Sequence, residues 1–328
     1  MTMTWVVLIL VALLLLLWFL GPRPKVVLEW LLEELPIEWN QLPAWLTEQE
    51  SAFNVVPGGE KHIDFANPEQ PAQTDFVVLY IHGFSATRQE LAPIPEQLAQ
   101  ALGANLYSAR LAGHGVGSDG LGNATAGDWL KDTAEAWQIA TQLGHKVILL
   151  SCSTGGTLAT WLAEQPSTQD QLAALVLVSP NFKIRMWAAT MFTWPWSRYW
   201  LKYLAGEYRE TEAPNEFVAR YWTTRYPTRI LHELQSLVQA IQKSPIEQVR
   251  TPTLFIYSDY DEVVDSRYTD KVYERWGAER ERIKVDALIG HSNHVIAGDL
   301  LAPENTAKTL QEVLAFLQRQ GIGTQSKT

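Results

Sequence analysis

A serine between an apolar run and two glycines is the strongest chemical signal in the sequence. Ser153 follows the run 147–150, and Gly155 and Gly156 come shortly after it. A serine hydroxyl is a weak nucleophile and attacks a carbonyl only where it is held exposed beside a base. A sharp turn from strand to helix exposes a serine in this way if small residues lie two positions before and after it. Gly155 meets this requirement, and Ser151 stands where glycine is usual. The alternative interpretation is an ordinary buried strand followed by a helix.

A candidate acid and a candidate base occur further along the chain, each after a predicted strand. Asp261 follows the run 253–257, and His294 follows the run 282–288. Because the carboxyl ends of parallel strands meet at one edge of a sheet, we expect these side chains to lie near Ser153. His294 would then accept the serine proton, and Asp261 would orient the imidazole and stabilise the imidazolium.

Neighbouring residues compete for these two roles. Asp259 and Asp265 occur in the same predicted loop as the candidate acid, and His291 lies close to the candidate base. Loop carboxylates and loop histidines are usually solvated, so each match alone is a weak indication. The combination of all three residue types, each after a strand, is a stronger one.

Two backbone N–H groups are predicted to stabilise the negative charge that forms on a carbonyl oxygen during acyl transfer. The run 76–81 ends in His82-Gly83-Phe84, a loop that leads to a predicted helix. The predicted donors are the N–H groups of Phe84 and of Thr154, the residue after the candidate nucleophile. Because His82 precedes the nucleophile in the chain, we interpret it as shaping this loop rather than as the general base.

The elements that would position these residues alternate between strand and helix patterns from residue 63 onward. The predicted strands are 76–81, 105–110, 146–151, 174–179, 253–257 and 282–288. The predicted helices are 89–101, 126–143, 156–164, 266–276 and 303–320. This alternation predicts an α/β fold with a mostly parallel central sheet and helices on both faces. The interval from about 181 to 248 has no clear strand and is predicted to form a helical cap.

These residues together resemble the bacterial carboxylesterase and monoacylglycerol lipase branch of the α/β-hydrolases, which includes serine aminopeptidase-type hydrolases. The resemblance extends from about residue 55 to residue 317. It rests on residues 82–84, 110–115, Trp129, 153–156, Asp261 and 292–296. It implies the α/β-hydrolase fold, hydrolysis of carboxylic esters with a medium or long acyl chain, and neither a metal nor an organic cofactor.

The same resemblance distinguishes among the competing residues. Asp261 stands two residues before Val263, as the family acid does, and His294 matches the family pattern Ser-x-His-Val-Ile. His114 matches a structural histidine of this branch. Thr154 departs from the methionine or glutamine that is common after the nucleophile, which puts the substrate preference in doubt more than the reaction.

Two other functions are open at this stage. A serine aminopeptidase-like amide hydrolase would share the same catalytic residues and would need an acidic group in the cap to bind a substrate amine. Four glutamates are available there: Glu207, Glu210, Glu212 and Glu216. A catalytically silent protein would use the same cleft to bind a hydrophobic ligand. In each case the partner is a small molecule or a lipid ester.

The predicted cap carries a dense run of aromatic residues between 187 and 200. Trp187, Phe192 and Trp194 are the candidate substrate-binding residues, because such side chains form acyl-chain tunnels and lids that exclude water. Aromatic residues also simply pack a cap onto a sheet. A third interpretation is a hydrophobic surface that contacts a bilayer.

An apolar segment begins the chain, and no charged side chain precedes Arg23. Residues 5–20 are uninterrupted apolar residues, and Trp5 and Trp18 lie near the two ends, where indole rings favour the headgroup level. We predict a transmembrane anchor at 1–22. A cleaved signal peptide is the alternative, although a basic n-region and an Ala-x-Ala site are missing. A buried core helix is also possible.

The rest of the chain divides into a juxtamembrane helical segment, 23–54, and an α/β-hydrolase domain, 55–328, that contains the cap. Arg23 and Lys25 follow the anchor, and the positive-inside bias therefore predicts a cytoplasmic catalytic domain. The membrane is thus a predicted partner through the N-terminal helix.

Composition excludes some partners. The chain has 328 residues, and its 36 acidic and 26 basic side chains give a formal charge of −10. This sign repels phosphate backbones, so nucleic acid is not an expected partner. The single cysteine, Cys152, cannot form an intrachain disulfide, and we expect a buried, inert thiol.

Overall fold

A seven-stranded sheet lies at the centre of the computed structural model, which describes residues 3–29, 35, 37–288 and 292–323. The strands are β1 (His62–Asp64), β2 (Thr74–Ile81), β3 (Asn105–Ser108), β4 (Gly144–Cys152), β5 (Leu172–Val178), β6 (Tyr208–Glu210), β7 (Arg225–Pro227), β8 (Thr253–Ser258) and β9 (Arg280–Val285). The sheet has the order β1-β3-β2-β4-β5-β8-β9, and β1 alone is antiparallel to its neighbour. The predicted, mostly parallel sheet is therefore confirmed.

The described chain has helices that cover both faces of this sheet and others that lie in the amino-terminal segment and in the cap. They are α1 (Met3–Leu20), α2 (Leu42–Ser51), α3 (Ile94–Leu102), α4 (Gly117–Asn123), α5 (Ala126–Leu143), α6 (Thr154–Ala163), α7 (Ser197–Trp200), α8 (Lys202–Ala205), α9 (Glu216–Tyr221), α10 (Ile230–Gln242), α11 (Ser266–Arg275) and α12 (Pro303–Arg319). Residues of α5, α6, α10 and α11 pack on one face, and residues of α3 and α12 pack on the other.

The central strands are buried on both faces because their residues are apolar at successive positions. On β2, Val77 and Leu79 join the core that contains Trp129 of α5, whereas Val78 and Tyr80 join the core on the opposite face. Side chains alternate between the faces of a strand, so one continuous apolar run supplies both cores.

The helix predicted at 89–101 begins later than expected. Residues Arg88–Glu90 form a single 3₁₀ turn, and α3 starts only at Ile94. Pro93 has no backbone N–H to continue a helix, whereas Pro95 is tolerated because the first turn has no intrahelical acceptor to satisfy. Glu90, the last residue of the 3₁₀ turn, is buried.

The interval between β5 and β8 forms the cap. It contains a 3₁₀ helix at Trp187–Thr193, followed by α7 to α10. The prediction of a wholly helical cap misses one feature, since β6 and β7 pair as a two-stranded antiparallel sheet. Each of these strands has only three residues, which is too short for an alternating pattern to be recognised.

The amino-terminal helix α1 is the one helix of the described chain that is long and apolar enough to cross a membrane, and none of its residues is buried. A signal sequence has the same composition. The side chain of Arg23 donates to the Trp18 carbonyl at 2.7 Å, where α1 ends.

The segment after α1 packs on the domain. The indole of Trp161 donates to the Leu28 carbonyl at 3.3 Å, and the Leu35 N–H donates to the Gln138 side chain at 3.0 Å. Helix α2 follows, and residues 25–29 adopt no helix. The part of the predicted helical segment at 30–34 and 36 lies outside the described residues.

Candidate active site

Ser153 occupies a tight turn between β4 and α6. Its φ and ψ angles are 51° and −116°, a conformation that costs free energy in a residue with a Cβ atom. The turn is held by the Ser153 N–H, which donates to the Val178 carbonyl at 2.9 Å, and by the Ser153 carbonyl, which accepts the N–H of Gly156 and of Asn181, both at 2.9 Å. The surrounding sheet thus maintains the strained backbone that presents the hydroxyl.

The glycines after Ser153 permit the close approach of α6 to the sheet. A Cβ atom on Gly155 would lie 2.1 Å from the Ile81 carbonyl oxygen, and one on Gly156 would lie 2.8 Å from the Pro180 side chain. Ser151, which replaces the usual glycine before the nucleophile, is fully buried, and its hydroxyl donates to the Val176 carbonyl at 3.2 Å. A serine fits here because its polar group is satisfied within the sheet.

Ser153, His294 and Asp261 form one continuous chain of hydrogen bonds. The Ser153 hydroxyl lies 2.8 Å from Nε2 of His294, and Nδ1 of His294 lies 2.8 Å from Oδ2 of Asp261. The second oxygen of Asp261 accepts the backbone N–H groups of Val263 and Val264, both at 2.8 Å. This arrangement sets the tautomer: Nδ1 carries the proton, and Nε2 is free to accept the proton of the serine.

The loops that carry the acid and the base are bonded to each other. The Glu262 N–H donates to the Ser292 carbonyl at 2.9 Å. Before His294, Asn293 adopts the left-handed conformation with φ 57°, and its side-chain oxygen accepts the Leu288 N–H at 2.6 Å. Asparagine tolerates this conformation better than most residues, which accounts for its place beside the histidine.

Opposing effects act on the imidazole of His294. Burial alone would lower its pKa, but the charge and the hydrogen bond of Asp261, with a further contribution from the charge of Glu90, raise the pKa above its ordinary value of 6.5. A base with a raised pKa is a stronger proton acceptor once it is neutral.

The competing carboxylates of the acid loop point elsewhere. Asp259 forms an ion pair with Lys284 at 2.8 Å, and Asp265 forms one with Lys183 at 2.9 Å. His291 lies outside the described residues. Of the three aspartates in this loop, only Asp261 contacts the imidazole of His294.

His82 and His114 are buried, and burial favours the neutral form of each imidazole. Nδ1 of His82 donates to the Gly83 carbonyl at 2.8 Å, and its Nε2 accepts the Leu111 N–H at 3.2 Å, so both nitrogens are used within the fold. Burial lowers the pKa of His82 to about 4 and also lowers the pKa of His114. His82 therefore connects the loop after β2 to the loop after β3.

Phe84 and Thr154 have backbone N–H groups that donate to no other group in the described part of the chain. Both residues line the cavity that contains Ser153 and His294. Thr154 is the first residue of α6, where an N–H has no intrahelical acceptor. Two free N–H groups at a buried cavity are suited to binding a negatively charged oxygen.

Glu90 is the site residue that sequence reasoning missed. It is 2% exposed, lines the same cavity, and accepts the Gly83 N–H at 2.7 Å. Burial raises the pKa of its carboxyl, and burial together with the charge of Glu90 raises the pKa of Cys152. The only indication in the sequence was that Glu90 lies within the predicted helix 89–101, and this position gives no reason to expect a buried glutamate at the site.

The cavity above the catalytic residues has a volume of about 660 Å³ and is lined mainly by apolar side chains. Of the three aromatic residues predicted to bind substrate, Phe192 lines it. The structure does not bring the other two into this lining. Trp187 is 77% exposed, and Trp194 packs against Trp18 and Trp200. Glu212 is the one of the four cap glutamates that lines the cavity.

The sheet order, the turn at Ser153 and the cap between β5 and β8 define a lipase/esterase-like α/β-hydrolase. The family model described as serine aminopeptidase, S33, matches residues 72–295, and the chain belongs to that family. The thermostable monoacylglycerol lipase of Bacillus sp. (strain H-257) is 26% identical over 234 residues, which cover 71% of this chain and 88% of the relative. This similarity confirms the resemblance to the monoacylglycerol lipase branch.

Solved structures show the same fold. A structure from work on LipS and LipT, two metagenome-derived lipolytic enzymes, has a TM-score of 0.66 and 21% identity, and the match covers 81% of this chain and 100% of that one. A soluble variant of monoglyceride lipase from Saccharomyces cerevisiae, in complex with a substrate analogue, has a TM-score of 0.63 and 13% identity, with coverage of 81% and 92%.

Proposed function

We propose that this chain is a membrane-anchored serine esterase that hydrolyses carboxylic esters of the monoacylglycerol type. The observation that carries the proposal is the unbroken hydrogen-bond chain Ser153–His294–Asp261 at the base of an apolar cavity. The similarity to a monoacylglycerol lipase supports the choice of ester over other acyl compounds.

The proposed reaction has two acyl-transfer steps. His294 accepts the proton of Ser153 as the hydroxyl oxygen attacks the ester carbonyl, and the N–H groups of Phe84 and Thr154 bind the resulting oxyanion. The bond between the carbonyl carbon and the alcohol oxygen then breaks, His294 gives its proton to this leaving oxygen, and the acyl group stays bonded to Ser153 as an acyl-enzyme. A water molecule, deprotonated by His294, attacks this acyl group and releases the carboxylic acid and the free serine.

The apolar lining of the cavity supports an acyl chain as the part of the substrate that is buried. Phe192, Leu231 and Leu234 come from the cap, and Val295 follows the catalytic base. A buried methylene group contributes about 0.8 kcal/mol of transfer free energy, so a medium or long chain gains affinity in such a cavity. The polar end of the ester would lie towards Glu212 and Arg209, which line the cavity.

The proposed anchor is α1, at the predicted segment 1–22, and the catalytic domain is proposed to face the cytoplasm. The helix is exposed along its whole length, which is unfavourable in water and favourable in lipid. Arg23 and Lys25 follow its carboxyl end. An intact mass of 37.0 kDa for protein purified from membranes would support an anchor, and loss of the first residues would instead indicate a signal sequence.

A fluorophosphonate probe tests the nucleophile. We expect covalent labelling of the wild type and none of Ser153→Ala, with both proteins folded by circular dichroism. Folded wild-type protein that resists labelling would favour a silent ligand-binding protein and contradict the proposal.

A panel of substrates is needed to determine the substrate class. An amide hydrolase of the serine aminopeptidase type would react equally well with the fluorophosphonate probe. We expect p-nitrophenyl esters to be cleaved with kcat/KM rising from acetate to longer acyl chains. Aminoacyl-nitroanilides should be poor substrates. Preferential cleavage of the anilides, lost in Glu212→Gln, would identify Glu212 as an amine-binding group and replace the ester proposal.

A further inference from the structure

The first residues of the cap pair with the loop that carries Asp261. Ile184 of the cap and Val264 of this loop form an isolated antiparallel bridge. Two backbone hydrogen bonds of 2.8 Å flank the bridge, one on each side. We call this pairing of residues 183–185 with residues 263–265 the acid-loop bridge. Through it the cap holds a loop of the catalytic site and does not only cover the cavity.

The acid-loop bridge contains the residues that orient the Asp261 carboxylate. Oδ1 of Asp261 accepts the N–H groups of Val263 and Val264, both at 2.8 Å. The carbonyl of Val263 in turn accepts the N–H of Arg185 at 2.8 Å. A shift of the bridge would therefore move the two N–H groups that fix the carboxylate against His294.

The side chain of Arg185 adds a direct bond to the catalytic acid. Its guanidinium donates to the backbone carbonyl of Asp261. A hydrogen bond from a charged donor is roughly twice as strong as one between neutral groups, and the planar guanidinium holds it in a defined direction. Because the acceptor is the carbonyl, both carboxylate oxygens of Asp261 remain available for the loop N–H groups and for His294.

The acid-loop bridge also forms part of the wall of the catalytic cavity. Ile184 and Val263 line this cavity. Successive side chains of an extended segment point to opposite sides, and Arg185 is not among the described residues that line the cavity. A substitution at Arg185 can therefore disturb the catalytic acid without changing a side chain that the substrate contacts.

We propose that Arg185 of the cap is a positioning residue for the catalytic acid: it holds Asp261 at the distance and angle that the hydrogen bond to His294 requires. This role rests on the proposed acyl-transfer function. A catalytic group that is displaced by about 1 Å can lower a rate by a factor of roughly 10². Because His294 serves in both acylation and deacylation, a loosened acid slows the two steps together. The cap thereby contributes to the chemical step.

The kinetic test uses the full chain in detergent with p-nitrophenyl butyrate as the substrate. Arg185→Met removes the donors but keeps an unbranched apolar stem, and we expect kcat to fall about tenfold with KM within about twofold of wild type. Arg185→Lys restores a charged donor and should recover kcat to about threefold below wild type. The control is Arg198→Met, another cap arginine, whose guanidinium bonds the Glu233 carboxylate at 2.5 Å. It should leave kcat and KM within about twofold of wild type.

Proton NMR of the same variants reports the bond between His294 and Asp261 directly. The proton on Nδ1 of His294 lies in a 2.8 Å bond to a carboxylate, so it resonates far downfield, and its loss in Asp261→Asn identifies it. In Arg185→Met we expect this resonance to move upfield or to broaden through exchange with water. In Arg198→Met it should stay in place. A contribution of Arg185 to stability alone would not move this resonance in folded protein.

An unchanged resonance and an unchanged kcat in folded Arg185→Met would overturn the role of Arg185. A higher KM at unchanged kcat would also overturn it, because that result indicates substrate binding. If Arg185→Met does not fold, Arg185→Gln, with a shorter uncharged side chain, is compared with Arg185→Lys, and equal kcat values would overturn the role. Wild-type protein that resists fluorophosphonate labelling would overturn the proposed reaction, whereas the NMR comparison would still test the position of the acid, so the two failures are distinguishable.

Discussion

The carboxylate of Glu90 accepts the backbone N–H of Gly83 at 2.7 Å, which places a buried acidic group against the loop that carries the proposed oxyanion donor Phe84. The charge of Glu90 also contributes to the raised pKa of His294. Glu90 is therefore a positioning residue with an electrostatic effect on the base. The next residue, Phe84, lines the catalytic cavity.

Glu90→Gln should move the acid limb of the pH profile of kcat/KM to lower pH. The base must be neutral to accept the serine proton, so activity is lost as the pH falls through the pKa of His294. Removing a nearby negative charge destabilises the imidazolium and lowers that pKa. Glutamine retains an oxygen that accepts the Gly83 N–H, which preserves the loop.

Glu96→Gln is the matched control for this profile, since Glu96 is a partly buried glutamate of α3 paired with Arg88 rather than with the site. Its acid limb should coincide with that of the wild type. An acid limb for Glu90→Gln that stays in place or moves to higher pH would rule out the electrostatic effect.

Asp261→Asn should lower kcat by a factor of roughly 10⁴ while the protein stays folded. The asparagine amide removes the negative charge that stabilises the imidazolium, and it favours the wrong tautomer when its NH₂ group faces Nδ1 of His294. Single-turnover kinetics with a p-nitrophenyl ester measure the loss. Asp259→Asn, which breaks only a surface pair with Lys284, should retain nearly full activity. Loss of activity in Asp259→Asn but not in Asp261→Asn would identify Asp259 as the catalytic acid instead.

Gly155→Ala should destabilise the fold, although alanine is the better helix former. The added methyl group would lie 2.1 Å from the Ile81 carbonyl oxygen, and the backbone at both sides would have to shift, at about 3 kcal/mol or more. Gly127→Ala in α5 is the control, because nothing lies closer than 3.6 Å to its added methyl. That control should gain about 0.5–1 kcal/mol. Urea unfolding of both variants measures the difference, and equal stabilities would contradict the packing argument.

Residue order was sufficient to predict which side chains meet at the site. Ser153, Asp261 and His294 each follow a parallel strand, and parallel strands end at one edge, so their approach follows from topology. The sheet itself could be predicted because its strands are apolar at successive positions and are long enough to show it.

Glu90 and the cap aromatics could not be placed in the same way. Glu90 lies in a 3₁₀ turn that ends before α3 begins, whereas the apolar pattern of the surrounding residues predicts one continuous helix at 89–101. Phe192 and Trp187 belong to one aromatic run, and the 3₁₀ geometry of that run decides which of them faces the cavity. The contact between Trp18 and Trp194 joins residues 176 positions apart, and neither has a pattern that indicates the other.

Glu50→Gln should destabilise the protein by about 3–5 kcal/mol, because it leaves the Arg110 guanidinium as an unpaired buried charge. Two bonds of 2.7 Å join these side chains, and both residues are buried. The pair connects α2 to the loop after β3, where Arg110 also donates to the His114 carbonyl at 3.2 Å. Denaturant unfolding measures the loss. The exposed Glu48→Gln should change stability little, and an equally small change for Glu50→Gln would show that the ion pair does not stabilise the junction.

Glu164→Gln should make the protein less sensitive to alkaline pH. Burial raises the pKa of Glu164 from 4.5 to about 7. Its Oε1 lies 2.5 Å from the hydroxyl of Ser244, which has a single proton and donates to the Ile241 carbonyl at 2.8 Å. A proton on the carboxyl satisfies this short contact, so the geometry agrees with a neutral group.

The sign of the effect follows from the raised pKa. The folded state holds the proton more tightly than the unfolded state, so the contribution of Glu164 to stability is fully present below pH 4.5 and is lost as the pH rises through about 7. Glutamine cannot ionise, and the free energy of unfolding of the variant, relative to wild type, should therefore be higher at pH 8.5 than at pH 4.5. The gain is on the order of 2–3 kcal/mol. Urea unfolding at the two pH values measures it, with the exposed Glu69→Gln as the control. A pH-independent difference between Glu164→Gln and wild type would mean that folding does not raise the pKa of Glu164.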